Sequence, residues 1–407
     1  MAVYLFATLD TKGPEANYVR NLLVEAGVSV VLVDTGCLGQ VEFSADISRE
    51  QFFATGGFSW SELATKQDRG SAVTAAAQSA AKLAGEAYSA GKLSGVLGLG
   101  GSAGTTIGTA AMRSLPLGVP KVMASTLASQ NVRAWVQNKD IFMLNTVVDI
   151  SGLNRISRPV LAQAAAAMAG LIQNLPAMNQ QAPSTEDRPL IAASMFGVTT
   201  PCVQRAAREL EKAGYEVVVF HATGNGGESM EALIREGVFA GVLDVTTTEL
   251  ADELVGGILS AGPTRLTAAG ERGIPQVVSV GALDMVNFGP RESVPVHFAD
   301  RQFHVHNAHV TLMRTTPEEN AQLGRQIAEK LNQSRGPVAL LLPQNGVSAI
   351  DEMGKPFCDT VAREALFSAI EQNLVGCKAE RVDAAINDEA FAVALAQRLL
   401  ELLPKRS

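Results

Sequence analysis

Short runs of apolar residues alternate along this chain with longer segments in which apolar positions recur every three or four residues. The first such unit predicts a strand over residues 3–7, a helix over 14–25 and a second strand over 29–33 that ends at Asp34. Buried strands that alternate with amphipathic helices are typical of a parallel sheet covered by helices. The pattern continues through the chain and therefore predicts the α/β fold class.

The same order of elements occurs a second time, beginning near Pro189. This copy predicts a strand over 190–194, a helix over 201–212 and a strand over 216–220 that ends at His221. The two copies align without gaps, and several segments correspond: Ala26-Gly27 with Ala213-Gly214, 95–97 with 241–243, and 118–122 with 273–277. We therefore expect two Rossmann-like, doubly wound lobes that are related by internal duplication.

A polar segment that contains a proline separates the two copies. Residues 174–188 are rich in polar side chains and follow an alanine-rich helix predicted over 159–172. This gives a first lobe over 1–180, which carries a glycine-rich loop, and a second lobe over 189–407, which carries a histidine-rich segment. Because ligands of such sheets bind at the carboxyl ends of the strands, the cleft between the lobes is the expected ligand site.

Residues 98–106, with the sequence GLGGSAGTT, form a glycine-rich turn between a predicted strand and a predicted helix. Glycines let a ligand approach the backbone closely, and the start of a helix directs free N–H groups and a positive dipole at an anion. A phosphate or nucleotide site is therefore our first hypothesis, with a tight turn that binds nothing as its alternative. The residues expected to contact the ligand are Gly100, Gly101, Ser102, Gly104 and Thr105.

This loop favours a mononucleotide over a dinucleotide. It lacks the Gly-Lys-Ser/Thr of a Walker A motif, and Gly98, Gly100 and Ala103 match only the loose pattern G-x-G-x-x-A. The acidic residue that would read a ribose about 20 positions further on is missing, since Lys121 and Val122 stand there. NAD is therefore disfavoured, and a mononucleotide or a sugar phosphate is expected. The loop is also similar to the phosphate loops of phosphofructokinase-type enzymes.

Composition narrows the classes of partner. The 407 residues are enough for two or three domains, and a hydrophobic content of 47% with only 5% aromatics suits a doubly wound α/β protein. A net charge of −8 argues against a general affinity for nucleic acid. The 4 cysteines form no C-x-x-C pair, and neither a signal peptide nor an apolar span of about 18 residues is present. A cytoplasmic protein without membrane contact is expected.

Polar side chains follow several predicted strands of the first lobe. After the first strand, Lys12 is suited to an anion at a helix start, and Asp10 and Thr11 are suited to a helix cap or a ligand hydroxyl. Asp34 ends the second strand, where its carboxylate can accept hydrogen bonds from the hydroxyls of a ribose or another sugar. Thr126 ends a later strand. These residues complete the expected nucleotide site, although ordinary caps explain some of them equally well. Three further polar residues flank an apolar run and either line the cleft or serve turns: Asn145, Asp149 and Asn154.

The second lobe has its own polar residues at predicted strand ends. Asp244 begins the segment DVTTTE, in which Thr246 and Glu249 resemble a capping box, and the additional threonines indicate contacts with ligand hydroxyls. Arg265 is a candidate for binding an anion, with a surface salt bridge as the alternative. Asn345 lies in a polar loop after a predicted strand. The residues expected to bind the substrate are Thr246, Thr247, Arg265 and Asn345.

Four of the 5 histidines lie between residues 295 and 310. His304 and His306 are two positions apart, so on a strand they share one face. With Asp300 nearby, the segment can be interpreted as a metal site or as acid–base machinery, and a structural role stays open. The predicted catalytic residues are His304, His306 and Asp244, and no residue is assigned as a metal ligand.

Six segments, taken in order, resemble an uncharacterised family whose plant member is the N-terminal ATP-binding part of the tomato mosaic virus resistance protein. They are TLDTKG at 8–13, the loop at 98–106, VVDISGLN at 147–154, DVTTTEL at 244–250, FHVHNAH at 303–309 and LPQNGVS at 342–348. The resemblance covers essentially the whole chain, and it implies two Rossmann-like subdomains, ATP binding and self-association. The additional C-terminal barrel of the plant protein has no counterpart here, so inhibition of a viral replication protein is not expected.

Together these observations predict a protein that binds ATP or a related mononucleotide, with or without Mg²⁺, and that has a ligand site between its lobes. One interpretation is an enzyme that acts on an unidentified small metabolite. The alternatives are a metal-assisted hydrolase or lyase built on the histidine segment, and a non-catalytic regulator that uses ATP to fix the arrangement of the lobes. The sequence leaves open whether the chain is an enzyme. The expected partners are the nucleotide, the small molecule and further copies of the chain.

Overall fold

The computed structural model describes residues 1–37, 39, 43–66, 68–179 and 188–404. The chain forms two compact units, Met1–Glu186 and Asp187–Ser407. In the described part of the chain, no helix combines the length and the apolar character that crossing a membrane requires.

Within its described residues, the first unit forms a five-stranded parallel sheet with helices packed on it. The strands are β1 (Ala2–Ala7), β2 (Val30–Asp34), β3 (Leu93–Gly100), β4 (Lys121–Ser125) and β5 (Phe142–Asn145). The helices are α1 (Leu9–Glu25), α2 (Arg49–Gly56), α3 (Trp60–Lys66), α4 (Arg69–Ser89), α5 (Ser102–Arg113), α6 (Arg133–Val136) and α7 (Ser157–Asn179). The strand order is β2-β1-β3-β4-β5.

Two apolar cores show why helices cover both faces of this sheet. In one core, Val19 and Leu23 of α1 and Met168 of α7 pack with side chains of β1 and β3. In the other, Phe52 of α2 and Ala76 of α4 pack with the alternate side chains of the same two strands. The strands β1 and β3 are therefore buried on both sides, as the near-continuous apolar runs in their sequences predict.

The described residues of the second unit form a six-stranded parallel sheet and a small antiparallel sheet. The strands are β6 (Leu190–Met195), β7 (Glu216–His221), β8 (Gly241–Thr246), β9 (Gln276–Gly281), β10 (Met285–Phe288), β11 (Phe303–Asn307), β12 (Val310–Arg314), β13 (Val338–Pro343) and β14 (Ala379–Val382). The helices are α8 (Thr200–Lys212), α9 (Asn225–Glu236), α10 (Glu249–Val255), α11 (Ala268–Arg272), α12 (Pro317–Asn332), α13 (Thr360–Asn373) and α14 (Glu389–Leu402).

The two parallel sheets share one topology. The strand orders are β2-β1-β3-β4-β5 in the first unit and β7-β6-β8-β9-β13 in the second, where β14 follows β13. The predicted α/β fold class, with two Rossmann-like lobes related by duplication, is confirmed. In each sheet the direction of strand addition reverses between the first and third strands, β1 and β3 or β6 and β8. This topological switch point is where open α/β sheets bind their ligands.

The antiparallel sheet is an insertion between β9 and β13 that the alternating pattern does not predict. Its central strand, β12, pairs with β10 on one side and β11 on the other. The residues of β12 are mostly buried, whereas those of β11 are partly or fully exposed. His304 and His306 therefore lie on an edge strand of a separate small sheet.

Candidate functional site

A cavity of about 370 Å³ lies where the chain leaves β1 and β3, at the switch point of the first unit. Its size falls within the range of small-molecule sites, roughly 300–1,000 Å³. Its lining residues are Thr8, Asp10, Thr11 and Lys12 after β1, Cys37 and Gly39 after β2, Arg69 and Val73 on α4, Gly101, Ser102, Ala103 and Gly104 after β3, and Asp149 after β5. Most of the residues predicted to bind the nucleotide therefore line one cavity. They are Asp10, Thr11, Lys12, Gly101, Ser102 and Gly104.

The start of helix α5 forms one wall of this cavity. Gly101 precedes the helix and has no side chain to cap it, and no side chain of the described residues is hydrogen-bonded to the N–H groups of its first turn. The first N–H groups of an α-helix have no partner within the helix and carry the positive end of its dipole. Because Ser102, Ala103 and Gly104 of this turn line the cavity, the wall is suited to an anion.

The glycines of this loop have different roles. A Cβ on Gly98 would lie 2.6 Å from Met123 Sδ, one on Gly100 would lie 2.8 Å from Gly104 Cα, and one on Gly104 would lie 2.6 Å from Leu99 O. These three glycines allow α5 to pack closely against β3 and β4. At Gly101 the nearest atom to such a Cβ is Thr126 Oγ1 at 3.5 Å, an ordinary contact. Close packing thus explains much of the glycine content, and Gly101 is the position that is open on the cavity side.

The segment after β1 brings Lys12 and Asp10 to the cavity. Lys12 has φ −131° and ψ 22°, which interrupts α1 just before Pro14. The proline explains this kink, because it lacks an N–H and its ring crowds the preceding turn. The Lys12 ammonium donates a hydrogen bond to the Ile150 carbonyl oxygen, and the Asp10 carboxylate accepts one from the Gly39 N–H at 3.1 Å. The loops after β1, β2 and β5 are thereby joined around the cavity.

Two of the residues predicted to bind the nucleotide, Asp34 and Thr105, instead face the protein interior. Asp34 is buried and accepts hydrogen bonds from the Leu9 and Gly36 N–H groups, at 3.2 and 2.8 Å, and from Arg49 Nε at 2.9 Å. Asp34 therefore joins the segments that follow β1 and β2. It is not among the residues that line the cavity.

Thr105 is also fully buried, and its Oγ1 lies 2.6 Å from Ser125 Oγ. That hydroxyl is used to join α5 to β4, so we assign it a structural role. Thr126 belongs to a neighbouring cavity, which it lines together with Asp149.

Sequence reasoning missed Arg69 and Cys37. Arg69 is the first residue of α4, directly after the capping residue Asp68, and nothing in its sequence context marks it as a ligand. Arg69 lines the cavity, and its guanidinium forms no hydrogen bond or ion pair with the described residues. Burial raises the pKa of the Cys37 thiol to about 11, with Asp10 adding to the rise and Arg69 opposing it. The thiol is therefore protonated at neutral pH.

In the second unit, the predicted anion-binding residue Arg265 is fully buried among carboxylates. Its Nη1 and Nη2 donate to Asp244 at 2.5 and 2.7 Å, and its Nε donates to Glu249 at 2.6 Å. Longer contacts reach Glu231 at 3.4 Å and the Thr246 carbonyl oxygen at 3.3 Å. Burial opposes the charge, but the surrounding carboxylates hold the pKa of Arg265 well above its usual value. All five N–H groups have partners, so neither Arg265 nor Asp244 has its charge available to a ligand.

Glu249 of this network is the first residue of α10, and its side chain reaches the start of helix α9. Its carboxylate accepts hydrogen bonds from the Gly224 N–H at 2.7 Å and the Gly227 N–H at 3.1 Å. Burial raises the pKa of Glu249, and Arg265 counteracts this. An internal carboxylate therefore occupies the anion-binding end of α9, whereas the corresponding end of α5 is open to a cavity.

The other predicted substrate residues of the second unit have partners within the protein. Thr246 Oγ1 lies 2.8 Å from Thr199 Oγ1, and Thr247 Oγ1 donates to the Ser279 carbonyl oxygen at 3.1 Å. Both threonines are fully buried, so their hydroxyls stabilise the switch point of this unit. Asn345 is exposed, and its Nδ2 donates to Asp383 at 3.1 Å.

The histidine segment does not form a metal centre in the described structure. His304 and His306 lie on β11, where His304 contacts the ring of Phe357 and His306 is exposed. Asp244, the third predicted catalytic residue, is buried on β8, and its partners are Ser194 and Arg265. Among the described residues, no group of three or more His, Cys, Asp or Glu side chains is placed to hold a metal ion. The metal-assisted alternative is therefore not favoured.

Comparison with known proteins extends over both units. Residues 1–177 match the model of the N-terminal domain of an uncharacterised protein family, UPF0261, and residues 188–403 match that of its C-terminal domain. A UPF0261 protein of Clostridium tetani is 46% identical over 99% of both chains.

Two tomato proteins, the ToMV resistance protein Tm-1(GCR237) and the ToMV susceptible protein tm-1(GCR26), are each 45% identical over 313 residues. The matched region is 76% of this chain and 42% of either plant protein. The predicted resemblance is confirmed. Because the resistance and susceptible proteins match equally well, the similarity says nothing about resistance.

Proposed function

The chain belongs to the uncharacterised protein family UPF0261, and from the geometry of its first unit we propose that it binds ATP or a related mononucleotide. The observation that carries the proposal is the cavity at the β1/β3 switch point, with the uncapped start of α5 as one wall. Sheets with this strand order bind their ligands at this point.

The phosphates of the nucleotide would lie against the first turn of α5. Gly101 leaves room for them, and the N–H groups of this turn would donate hydrogen bonds to the phosphate oxygens. Lys12 and Arg69 line the same cavity and supply two positive charges. Arg69 is suited to a terminal phosphate, because a guanidinium can donate two parallel hydrogen bonds to one phosphate group.

The carboxylates in the cavity fit a Mg²⁺ complex of the nucleotide better than the free anion. Asp10 and Asp149 line the cavity with Lys12 and Arg69, so the formal charges of these four side chains cancel. Carboxylate and phosphate oxygens are the ligands that Mg²⁺ prefers, and the ion usually keeps several waters. Asp10 and Asp149 would hold the ion, which would neutralise charge on the phosphates. We therefore expect nucleotide affinity to depend on Mg²⁺.

The surroundings of Asp34 support a mononucleotide over NAD. Asp34 stands at the end of β2, where a carboxylate could accept hydrogen bonds from ribose hydroxyls. Its oxygens instead accept hydrogen bonds from Arg49 and from two backbone N–H groups. A ribose would have to displace a buried ion pair to reach it. A dinucleotide thus lacks its usual ribose contact.

The proposal is tested by calorimetric titration of the full chain with ATP, with and without Mg²⁺, and with NAD. ATP with Mg²⁺ should bind most tightly. Arg69→Ala should weaken that binding by about 10-fold or more, since a hydrogen bond to a charged group contributes roughly 1.5–3 kcal/mol. Lys92→Ala is the matched control, because Lys92 is an exposed cation at the opposite, amino end of β3.

Three results would contradict the proposal. They are the absence of ATP binding to the unmodified chain, tighter binding of NAD than of ATP, and equal losses in the Arg69→Ala and Lys92→Ala variants. The last result would indicate a general effect of charge and not a contact in the cavity.

A further inference from the structure

A second cavity, of about 330 Å³, lies at the ends of β4 and β5. It adjoins the cavity at the β1/β3 switch point, which is called the nucleotide cavity below. Thr126 and Ser129 line it from the loop after β4, and residues 145–149 line it from the loop after β5. Asp149 lines both cavities. Because β3, β4 and β5 are parallel neighbours, their carboxyl ends open on the same edge of the sheet. A ligand in the second cavity would therefore be a neighbour of the nucleotide.

The lining of the second cavity is polar, and none of its described side chains is positively charged. Within the described residues, the hydroxyls of Thr126 and Ser129, the amide nitrogen of Asn145 and the carboxylate of Asp149 have no hydrogen-bond partner. These groups offer both donors and acceptors to a ligand. Without a cation, and with Asp149 present, the cavity disfavours an anion and suits an uncharged molecule with several hydroxyls.

The backbone between β5 and Asp149 holds this lining in place at the cost of local strain. Val147 has φ +64°, a conformation that β-branched residues rarely adopt, and the residue is 73% exposed. The Val147 N–H donates to Asn145 Oδ1 at 3.2 Å, and Thr146 Oγ1 donates to the Val148 carbonyl oxygen at 2.8 Å. Burial of Val147 does not explain this conformation, whereas the two hydrogen bonds fix a turn that presents Asn145 and Asp149 to one cavity. Strained backbone of this kind concentrates at ligand sites.

We infer that this second cavity binds an uncharged polyhydroxyl molecule, such as a sugar or a cyclitol, beside the nucleotide. Asp149 would accept a hydrogen bond from one ligand hydroxyl, and the Asn145 amide and the Thr126 and Ser129 hydroxyls would bind others. The inference rests on the proposed function only for the identity of the neighbouring ligand, since none of these contacts requires a nucleotide.

The test is saturation-transfer NMR and calorimetry on the full chain, without nucleotide, using D-glucose, D-ribose and myo-inositol as probes and inorganic phosphate as a competitor. At least one of the three polyols should bind. Asn145→Ala should lower its affinity by about 10-fold, the effect of one or two neutral hydrogen bonds. Asn174→Ala is the matched control, because Asn174 is exposed on α7 and, within the described part of the chain, its side chain bonds to a carbonyl of its own helix.

Binding of none of the three polyols would overturn the inference, and so would equal binding to the unmodified chain and the Asn145→Ala variant. Competition by phosphate would also contradict it, because the cavity would then accept an anion. A titration with ATP and Mg²⁺ separates the two proposals. Since Asn145 does not line the nucleotide cavity, Asn145→Ala should leave ATP affinity unchanged. A chain that binds a polyol but not ATP would refute the proposed function alone.

Discussion

Substitution of Gly101 is expected to separate ligand binding from folding. A Cβ at this position would lie 3.5 Å from Thr126 Oγ1, and φ of −81° is one that other residues adopt. Gly104, three positions later, is different, because a Cβ there would lie 2.6 Å from the Leu99 carbonyl oxygen. Gly101→Val should therefore fold, with its methyl groups in the cavity, whereas Gly104→Ala must displace the backbone of α5.

The magnitudes follow from these contacts. The valine methyl groups would hold the phosphates away from the start of α5 and remove at least one hydrogen bond to a charged group. ATP affinity should fall 10-fold or more, which corresponds to about 1.4 kcal/mol. The free energy of unfolding of Gly101→Val should change by less than about 1 kcal/mol. Gly104→Ala should lose about 1–3 kcal/mol of unfolding free energy, as other overpacked sites do.

The assay is calorimetric titration with ATP and Mg²⁺, combined with urea unfolding of each variant. Gly85→Val is the control, because Gly85 lies on α4 and, apart from its own helix backbone, none of the described residues comes within 4 Å of its Cβ position. It is 16 residues from the start of that helix, about 24 Å at 1.5 Å per residue. A folded Gly101→Val variant with unchanged ATP affinity would refute the placement of the phosphates. A Gly101→Val variant that fails to fold would refute the interpretation of this glycine as open.

Three further predictions concern buried charge and the cavity thiol. Arg265→Ala leaves three carboxylates without their buried cation, so urea unfolding should show a loss of about 3–5 kcal/mol in the free energy of unfolding. In the control variant, Arg381→Ala, the arginine is partly exposed, and the loss should be less than about 1 kcal/mol. Similar losses in the two variants would contradict the importance of the buried network. Burial raises the pKa of Asp284 from 3.8 to about 7, so between these pH values the folded state binds more protons than the unfolded state and stability falls as pH rises. Asp284→Asn should therefore gain stability relative to the unmodified chain from pH 4 to pH 7, and a constant difference in urea unfolding would count against the shift. Cys37, with its raised pKa, should be alkylated more slowly at pH 7.5 than Cys358, as peptide mass spectrometry can measure, and faster labelling of Cys37 would contradict its burial.

The outline of the cavity that we propose as a nucleotide site could be predicted because it depends on local order along the chain. A parallel strand followed by a helix places the intervening residues at the carboxyl edge, so the segments after β1 and β3 were expected to meet, as they do around Lys12 and Gly101. Arg69 could not be found in this way. It follows a helix cap and not a strand, and only the packing of α4 brings it to the same cavity.

The antiparallel sheet was missed for a similar reason. Its strands are short and interrupt the alternation of strand and helix, and pairing of β10 with β12 joins residues that are more than 20 positions apart. A strand through His304 and His306 entered the sequence analysis only as a condition, and the strands that pair with it were not predicted. A histidine cluster in sequence therefore did not become a cluster of ligands in space.

The sequence by itself determined the alternating strands and helices of the two parallel sheets, the duplication and the edge of the sheet at which polar residues collect, because these depend on periodicity and on the direction of parallel strands. Only the tertiary structure decided which of those polar residues remain available to a ligand. Asp34 is bound by Arg49, Thr105 by Ser125, and Asp244 by Arg265, whereas Lys12 and Ser102 line a cavity. A polar residue at a strand end looks the same in sequence in either case. The difference lies in whether a partner from a distant part of the chain satisfies its hydrogen bonds, and that is set by packing.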